Sequence, residues 1–128
     1  MRFAAEGASL SISDLNKDKG KSLVSELEAK YPQQEFDFEE VDVTNPTAVS
    51  KHVSRAAAAY ATGVSGLLCS AGIAIPGPRM HEVALETYLK VVDVNLHGTY
   101  HYNSAVLREM VRQNQDGKQA PKGGYAIV

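Results

Sequence analysis

Gly66-Leu67-Leu68-Cys69-Ser70-Ala71-Gly72-Ile73 is an apolar run that ends in a turn of small residues. A short apolar run bounded by glycines fits a strand buried on both faces, the kind found in a parallel sheet covered by helices. Ligands of such sheets bind beyond the carboxyl ends of the strands, which here is the Ser70-Ala71-Gly72 turn. Further along, Val91-Val92-Asp93-Val94-Asn95-Leu96-His97-Gly98 is an apolar helical stretch with one amide, Asn95. A buried asparagine is expected there, and it is a functional candidate.

Outward from this strand, the pattern alternates strand and helix. Met1 to Gly7 reads as the last turn of a helix with a glycine stop. Ala8 to Ser13 alternates Leu10 and Ile12 with serines, a short strand that ends at Asp14-Leu15-Asn16. Asn16 can cap a helix from Lys17 to about Lys30, whose Leu23, Val24, Leu27 and Tyr31 share one face. Glu35 to Val43 alternates Phe36 and Phe38 with acids, as an edge strand guarded by charge does. Asn45-Pro46 opens another helix, with Val49, Val53, Ala56, Ala57 and Tyr60 on its apolar face and Gly63 as its stop. Beyond Pro76-Gly77-Pro78 a longer helix is predicted from about His81 towards Arg112. A polar loop follows over Gln113–Lys122, and a last strand starts at Gly123. This βαβ alternation predicts an α/β fold, a doubly wound parallel sheet with helices on both faces.

Composition narrows the function classes. At 128 residues, 44% hydrophobic and 22% charged, the chain has the length of one domain and an ordinary globular balance. A formal net charge of −2 carries no basic stripe, so nucleic acid is not an expected partner. The stretch Gly63–Gly77 is broken by Ser65, Ser70 and Pro76 and falls short of the roughly 18 apolar residues of a membrane span. Glu6 interrupts the amino terminus before any apolar run, so no leader and no membrane association are expected. The single cysteine fits a reducing compartment, and a cytoplasmic location is expected. His97 and His101 lie one helical turn apart, yet no acid completes a metal-ligand spacing. They read as surface histidines, the run Glu35, Asp37, Glu39, Glu40 reads as a solvated edge, and no metal is expected.

The residues now in view resemble the short-chain dehydrogenase/reductase family over essentially the whole chain. The family's acidic residue after its second strand matches Asp14, and its Asp-Val adenine motif matches Asp42-Val43. Its Asn-Asn-Ala-Gly motif matches Cys69-Ser70-Ala71-Gly72, and its helix asparagine matches Asn95 in Val94-Asn95-Leu96-His97-Gly98. The resemblance implies a Rossmann-type sheet and NAD(P)-dependent hydride transfer on a small alcohol or carbonyl substrate. It assigns cofactor binding to Asp14, Leu15, Asp42, Val43, Ala71 and Gly72 and a catalytic role to Asn95. Asp14 followed by the uncharged Leu15, where NADP-preferring relatives commonly carry a basic side chain, implies NAD in preference to NADP, with Lys17 or Lys19 on the following helix as the alternative phosphate ligand. The family is commonly homo-oligomeric.

The departures from the family are as specific. None of the ten glycines forms a Thr-Gly-x-x-x-Gly-x-Gly turn, and Tyr31, Tyr60, Tyr88, Tyr100 and Tyr102 have no lysine four places on, while that position for Tyr125 lies past Val128. Cys69 and Ser70 replace two asparagines. By resemblance the chain 1–128 is a single incomplete dinucleotide-binding domain, its first and central strand missing, and inactive alone. The alternatives are a subunit completed by a partner chain and a non-catalytic adenosine-binding or interaction module. Each site residue also has a structural role open to it. Asp14 could stabilise the next helix, Asp42 could close a turn before Asn45, and Asn95 could be a satisfied polar group in a packed helix.

Overall fold

The computed structural model describes residues 2–60, 63–75, 77 and 79–116. Helix α1, Arg2–Ala5, stops at Gly7, whose φ of +95° is a conformation that glycine adopts without strain. Strand β1, Leu10–Asp14, helix α2, Lys17–Lys30, strand β2, Phe36–Glu40, and helix α3, Pro46–Ala59, follow. The caps are those expected. Asn16 Oδ1 accepts from the Lys19 amide at 3.0 Å, and Asn45 Oδ1 accepts from Thr47 and Ala48 with Pro46 in the first turn.

β1 and β2 pair in parallel, from Leu10 opposite Phe36 to Asp14 opposite Glu40, with α2 as the crossover between them. Leu10 and Phe36 bury one face against Leu27 of α2 and Ala4 of α1. Gly20 lets α2 come so close to β2 that a Cβ there would overlap the Phe38 ring. The opposite face meets α3, so helices cover both faces of the sheet, as a doubly wound fold requires. There Arg55 binds both Asp37 and Glu39, at 2.7 Å to the latter, so these acids face a helix rather than forming the solvated edge expected from their spacing.

Two expectations change. The segment from Val64 to Ile73 is extended but belongs to no ladder, and it is not buried on both faces. Leu67 and Cys69 pack on the core formed by Val41, Val49, Val53, Tyr102 and Val106, whereas Leu68 is 45% exposed. Among the described residues no strand lies between β1 and this segment, and a groove of about 270 Å³ separates Leu10, Ile12 and Ser13 from Ser70. Without a neighbouring strand the segment has neither ladder nor second cover. The long helix is divided as well. A 3₁₀ turn at Met80–Glu82 precedes α4, Leu85–Val92; a π turn spans Asp93–Gly98; and α5 runs Thr99–Gln115, past the expected end at Arg112. The strand expected at 123–128 lies outside the described residues.

Two side-chain amides hold the extended segment where strands do not. The Val64 amide donates to Gln113 Oε1 at 2.8 Å while Gln113 Nε2 donates to the Val64 carbonyl at 3.0 Å. Ile73 and Asn95 repeat the exchange at 2.8 and 2.9 Å. A primary amide carries the same acceptor and donor as a peptide unit, so each side chain imitates one rung of a sheet. Gln113 is 1% exposed, and Gly63 at φ +69° clears room for it, since a Cβ there would overlap its amide.

Gln113→Leu keeps the bulk but leaves a buried N–H and C=O at Val64 unpaired. It is expected to lower stability by about 2–4 kcal/mol, read as a reduced urea midpoint, because each orphaned group costs about 1–3 kcal/mol. An unchanged midpoint would show that Val64 is held by something other than this amide.

Candidate functional site

Three chain segments end at one cleft of about 320 Å³, a size within the range of small-molecule sites. β1 brings Ser13, Asp14 and Leu15; the end of β2 brings Val41, Asp42 and Val43; the extended segment brings Cys69 to Ile73. The π turn and its flanks close the side with Lys90, Val94, Gly98 and Thr99. All six residues matched to cofactor binding therefore line the same cavity. Asn95 stands at its rim and ties Ile73 in place.

The local geometry of each residue follows from its loop. Asp14 Oδ1 accepts from the Asn16 amide at 2.8 Å, so one carboxylate oxygen does the structural work. Asp42 Oδ1 accepts from both the amide and the hydroxyl of Thr44, at 2.9 and 2.7 Å. Those bonds favour the anion and hold the Asp42 carboxyl below the usual carboxylate range. His101 on α5 donates from Nδ1 to the Val43 carbonyl at 2.9 Å, which fixes the loop that carries Asp42 and Val43. It is half-buried, so the expectation of a surface histidine is corrected; His97 is exposed and pairs instead with Asp93 at 2.9 Å.

The π turn gives the cleft its shape. An added Cβ at Gly98 would lie 2.5 Å from Val43 Cγ2, so glycine lets the helix lie directly on the Val43 loop. The widened turn also turns Asn95 towards Ile73, and Thr99 Oγ1 donates to the Asn95 carbonyl at 2.8 Å. Asn95 is exposed at the rim rather than buried as expected from its apolar neighbours, because its side of the helix borders the open cleft. Cys69 lies on the wall, and burial pushes its thiol up, so it is a packing group rather than a nucleophile. Among the described residues no group of three or more His, Cys, Asp or Glu is placed to hold a metal ion.

Residues that the sequence did not single out lie beneath the cleft. His52 and Tyr102 are 1% and 2% exposed, and their polar atoms form one chain with β1. Ser11 Oγ is 2.9 Å from His52 Nε2, His52 Nδ1 is 3.0 Å from the Tyr102 hydroxyl, and that hydroxyl is 2.7 Å from Ser13 Oγ. The signal was present in the pattern, because His52 sits within the apolar stripe Val49, Val53, Ala56, and serines alternate with Leu10 and Ile12. Burial lowers the His52 pKa, opposed by Glu39 and Asp37 and reinforced by Arg55. Burial pushes the Tyr102 hydroxyl up to about 12, partly offset by Ser13.

This fold, with its cleft beyond the ends of β1 and β2, defines a partial α/β fold of the Rossmann type. A family model described as short chain dehydrogenase matches residues 1–118, and the chain belongs to that family of oxidoreductases. It is 33% identical over 110 residues to a 3-oxoacyl-(acyl-carrier-protein) reductase of Chlamydia muridarum, covering 86% of this chain and 43% of that protein. It is 30% identical over 110 residues to a 2-dehydro-3-deoxy-L-rhamnonate dehydrogenase (NAD(+)) of a Sphingomonas species, covering 86% and 41%. The structure of a short-chain type dehydrogenase/reductase from Mycobacterium ulcerans matches with a TM-score of 0.78 at 30% identity, over 98% of this chain and 42% of that one. The chain thus spans about two fifths of the length of these relatives.

Two of the shifted groups, His52 and Asp42, titrate on the acid side and divide the pH dependence of stability there into separate windows. His52 has a folded pKa below its usual 6.5, so the unfolded chain binds the proton more readily. Its contribution is complete above about pH 6.5 and is lost as pH falls below that value. Asp42 is also depressed, so its contribution is present above its usual 3.8 and disappears as pH falls through the lower folded value. Urea midpoints measured from pH 8 to pH 3 are expected to be flat at first, to decline below about pH 6.5, and to decline again below about pH 4. Stability that rises between pH 7 and pH 5 would mean that buried His52 is held as the cation.

Proposed function

We propose that this chain supplies the adenosine-binding part of a short-chain dehydrogenase that moves hydride between a nicotinamide dinucleotide and a small alcohol or carbonyl substrate, with NAD preferred over NADP. The observation that carries the reading is the convergence of Asp14, Asp42, Val43, Ala71 and Gly72, from three separate chain segments, on one cleft. When bound, the dinucleotide supplies the hydride acceptor or donor. The residues of the chain do the rest by position and charge.

The fit to adenosine rests on what each wall presents. Asp14 spends only Oδ1 on Asn16, so the carboxylate has acceptor capacity left for two ribose hydroxyls. Leu15, 65% exposed, adds an apolar surface and no charge beside it. Ala71 and Gly72 have little side chain to hold a base away from the backbone. Lys17 is engaged with Glu40 at 3.8 Å, and Lys19 lines the neighbouring groove together with Asp14, so Lys19 is the cation that a 2′-phosphate at Asp14 would have to recruit. The name of the Sphingomonas relative specifies NAD(+), in line with this charge pattern.

Asn95 is the one member of the family's Asn-Ser-Tyr-Lys set that these residues match. Its amide fixes Ile73 and with it the cleft wall, and a catalytic role at the rim belongs to the same proposal. Exposed Leu89, Leu96, Tyr100 and Leu107 on α4, the π turn and α5 support self-association through this side of the helix.

Calorimetric titration with 5′-AMP and 2′,5′-ADP separates the two cofactor types using only the half of the cofactor that this cleft meets. The chain is expected to bind 5′-AMP more tightly, because the Asp14 carboxylate repels a 2′-phosphate. Asp14→Ala is expected to weaken 5′-AMP by about 1–3 kcal/mol and to narrow the gap between the two ligands. Equal affinity for both ligands in the unaltered chain would refute the NAD preference.

A further inference from the structure

The Ser11–His52–Tyr102–Ser13 chain joins β1 at both ends, and its last member lines the cleft beside Asp14. Such a chain has a direction. With neutral His52 it can run either way. In one arrangement Nε2–H donates to Ser11, Tyr102 donates to Nδ1, and Ser13 donates to Tyr102, which leaves the Ser13 oxygen to accept from a ligand. In the other, Ser11 donates to Nε2, Nδ1–H donates to Tyr102, and Tyr102 donates to Ser13, whose own proton is then free for a ligand. Protonated His52 has donors at both nitrogens, so only the second polarity beyond Tyr102 survives.

We propose that His52 and Tyr102 are positioning residues of the cleft, which set through this chain whether the Ser13 hydroxyl meets a bound adenosine as donor or as acceptor. The proposal rests on the reading of the cleft as an adenosine site. The groups facing His52 are Ser11 on β1, Glu39 and Asp37 on β2, Arg55 on its own helix and Tyr102 on α5. The two acids are largely engaged by Arg55, which leaves the serines and the tyrosine as the hydrogen-bond partners of the ring. Ser11 and Ser13 are two apart on a strand and so share one face, the geometry that lets one chain begin and end on β1. Neither serine reaches the other except through His52 and Tyr102.

The relay has a consequence that packing alone does not. Ser13 makes no bond to His52, yet in the imidazolium state Tyr102 must accept from Nδ1–H and give its own proton to Ser13. Removing the Ser13 hydroxyl leaves that proton unpaired only when His52 is charged, so Ser13→Ala is expected to move the His52 titration towards lower pH. Tyr102→Phe cuts the connection, so adding Ser13→Ala to it is expected to have no further effect. In the ligand arm, Tyr102→Phe is expected to weaken 5′-AMP about three- to tenfold, the worth of one hydrogen bond, and saturating 5′-AMP is expected to shift the His52 titration only when Tyr102 is present.

The test follows the His52 ring protons by NMR from pH 8 to pH 4 in the 128-residue chain, its Ser13→Ala and Tyr102→Phe forms and the double variant, each with and without 5′-AMP. A His52 titration indifferent to Ser13→Ala overturns the relay. A titration that responds to Ser13→Ala while 5′-AMP fails to bind the unaltered chain keeps the relay and removes the adenosine reading. Should Tyr102→Phe not fold, the Ser13→Ala comparison alone decides, because it changes one exposed-side hydroxyl at the cleft and leaves both buried rings in place.

Discussion

The extended segment from Val64 to Ile73 depends on two amides of one helical stretch, and the cleft depends on that segment. Gln113 and Asn95 are eighteen residues apart on one continuous helical stretch, and both grip the same segment. Eighteen helical residues rise about 27 Å, and the nine steps from Val64 to Ile73 span about 30 Å when extended. The match in length lets the helix grip the segment at both ends, running antiparallel to it. Between the grips Leu67 and Cys69 turn inward onto Val53, Tyr102 and their neighbours, and the small residues at the far end are left open to the cleft.

The sheet is asymmetric in a way that bears on function. Towards α2, β1 presents Leu10 and Ile12 to an apolar core. Towards α3 and α5 it presents Ser11 and Ser13, and the acids of β2 continue that polar face. A buried polar face is tolerable only when each group has a partner. His52, Tyr102 and Arg55 meet that need, with one oxygen, Asp37 Oδ1, left without a partner among the described residues. The same face of β1 that buries serines carries them to the cleft, so satisfying the interior and shaping the ligand site are one arrangement.

The π turn between α4 and α5 links these two features. A regular helix through Asp93–Gly98 would carry the same residues at a different rotation. The extra residue in the turn lets Asn95 face Ile73, Gly98 lie on Val43 and Tyr102 enter the core above Ser13. The helix therefore reaches all three cleft walls, and His101 adds a fourth tie to the Val43 carbonyl.

The α/β alternation, the helix of Lys17–Lys30, the Asn16 and Asn45 caps and the Gly7 stop were legible in the sequence, because each depends on neighbours within a few residues. The six residues now found around one cleft were legible only through the family resemblance, whose motifs fall at strand ends and small-residue turns. What the linear pattern left open was decided by distant partners. Whether Gly66–Ser70 becomes a paired strand depends on a neighbour that local sequence does not encode. Where the long helix widens depends on the approach of Gly98 to Val43, and whether Asn95 is buried depends on which side of that turn meets the cleft. Ser11 and Ser13 look like the wet half of an alternating strand until α3 and α5 bring His52 and Tyr102 over them, because hydrogen bonds across 41 and 89 residues exist only once the chain has folded.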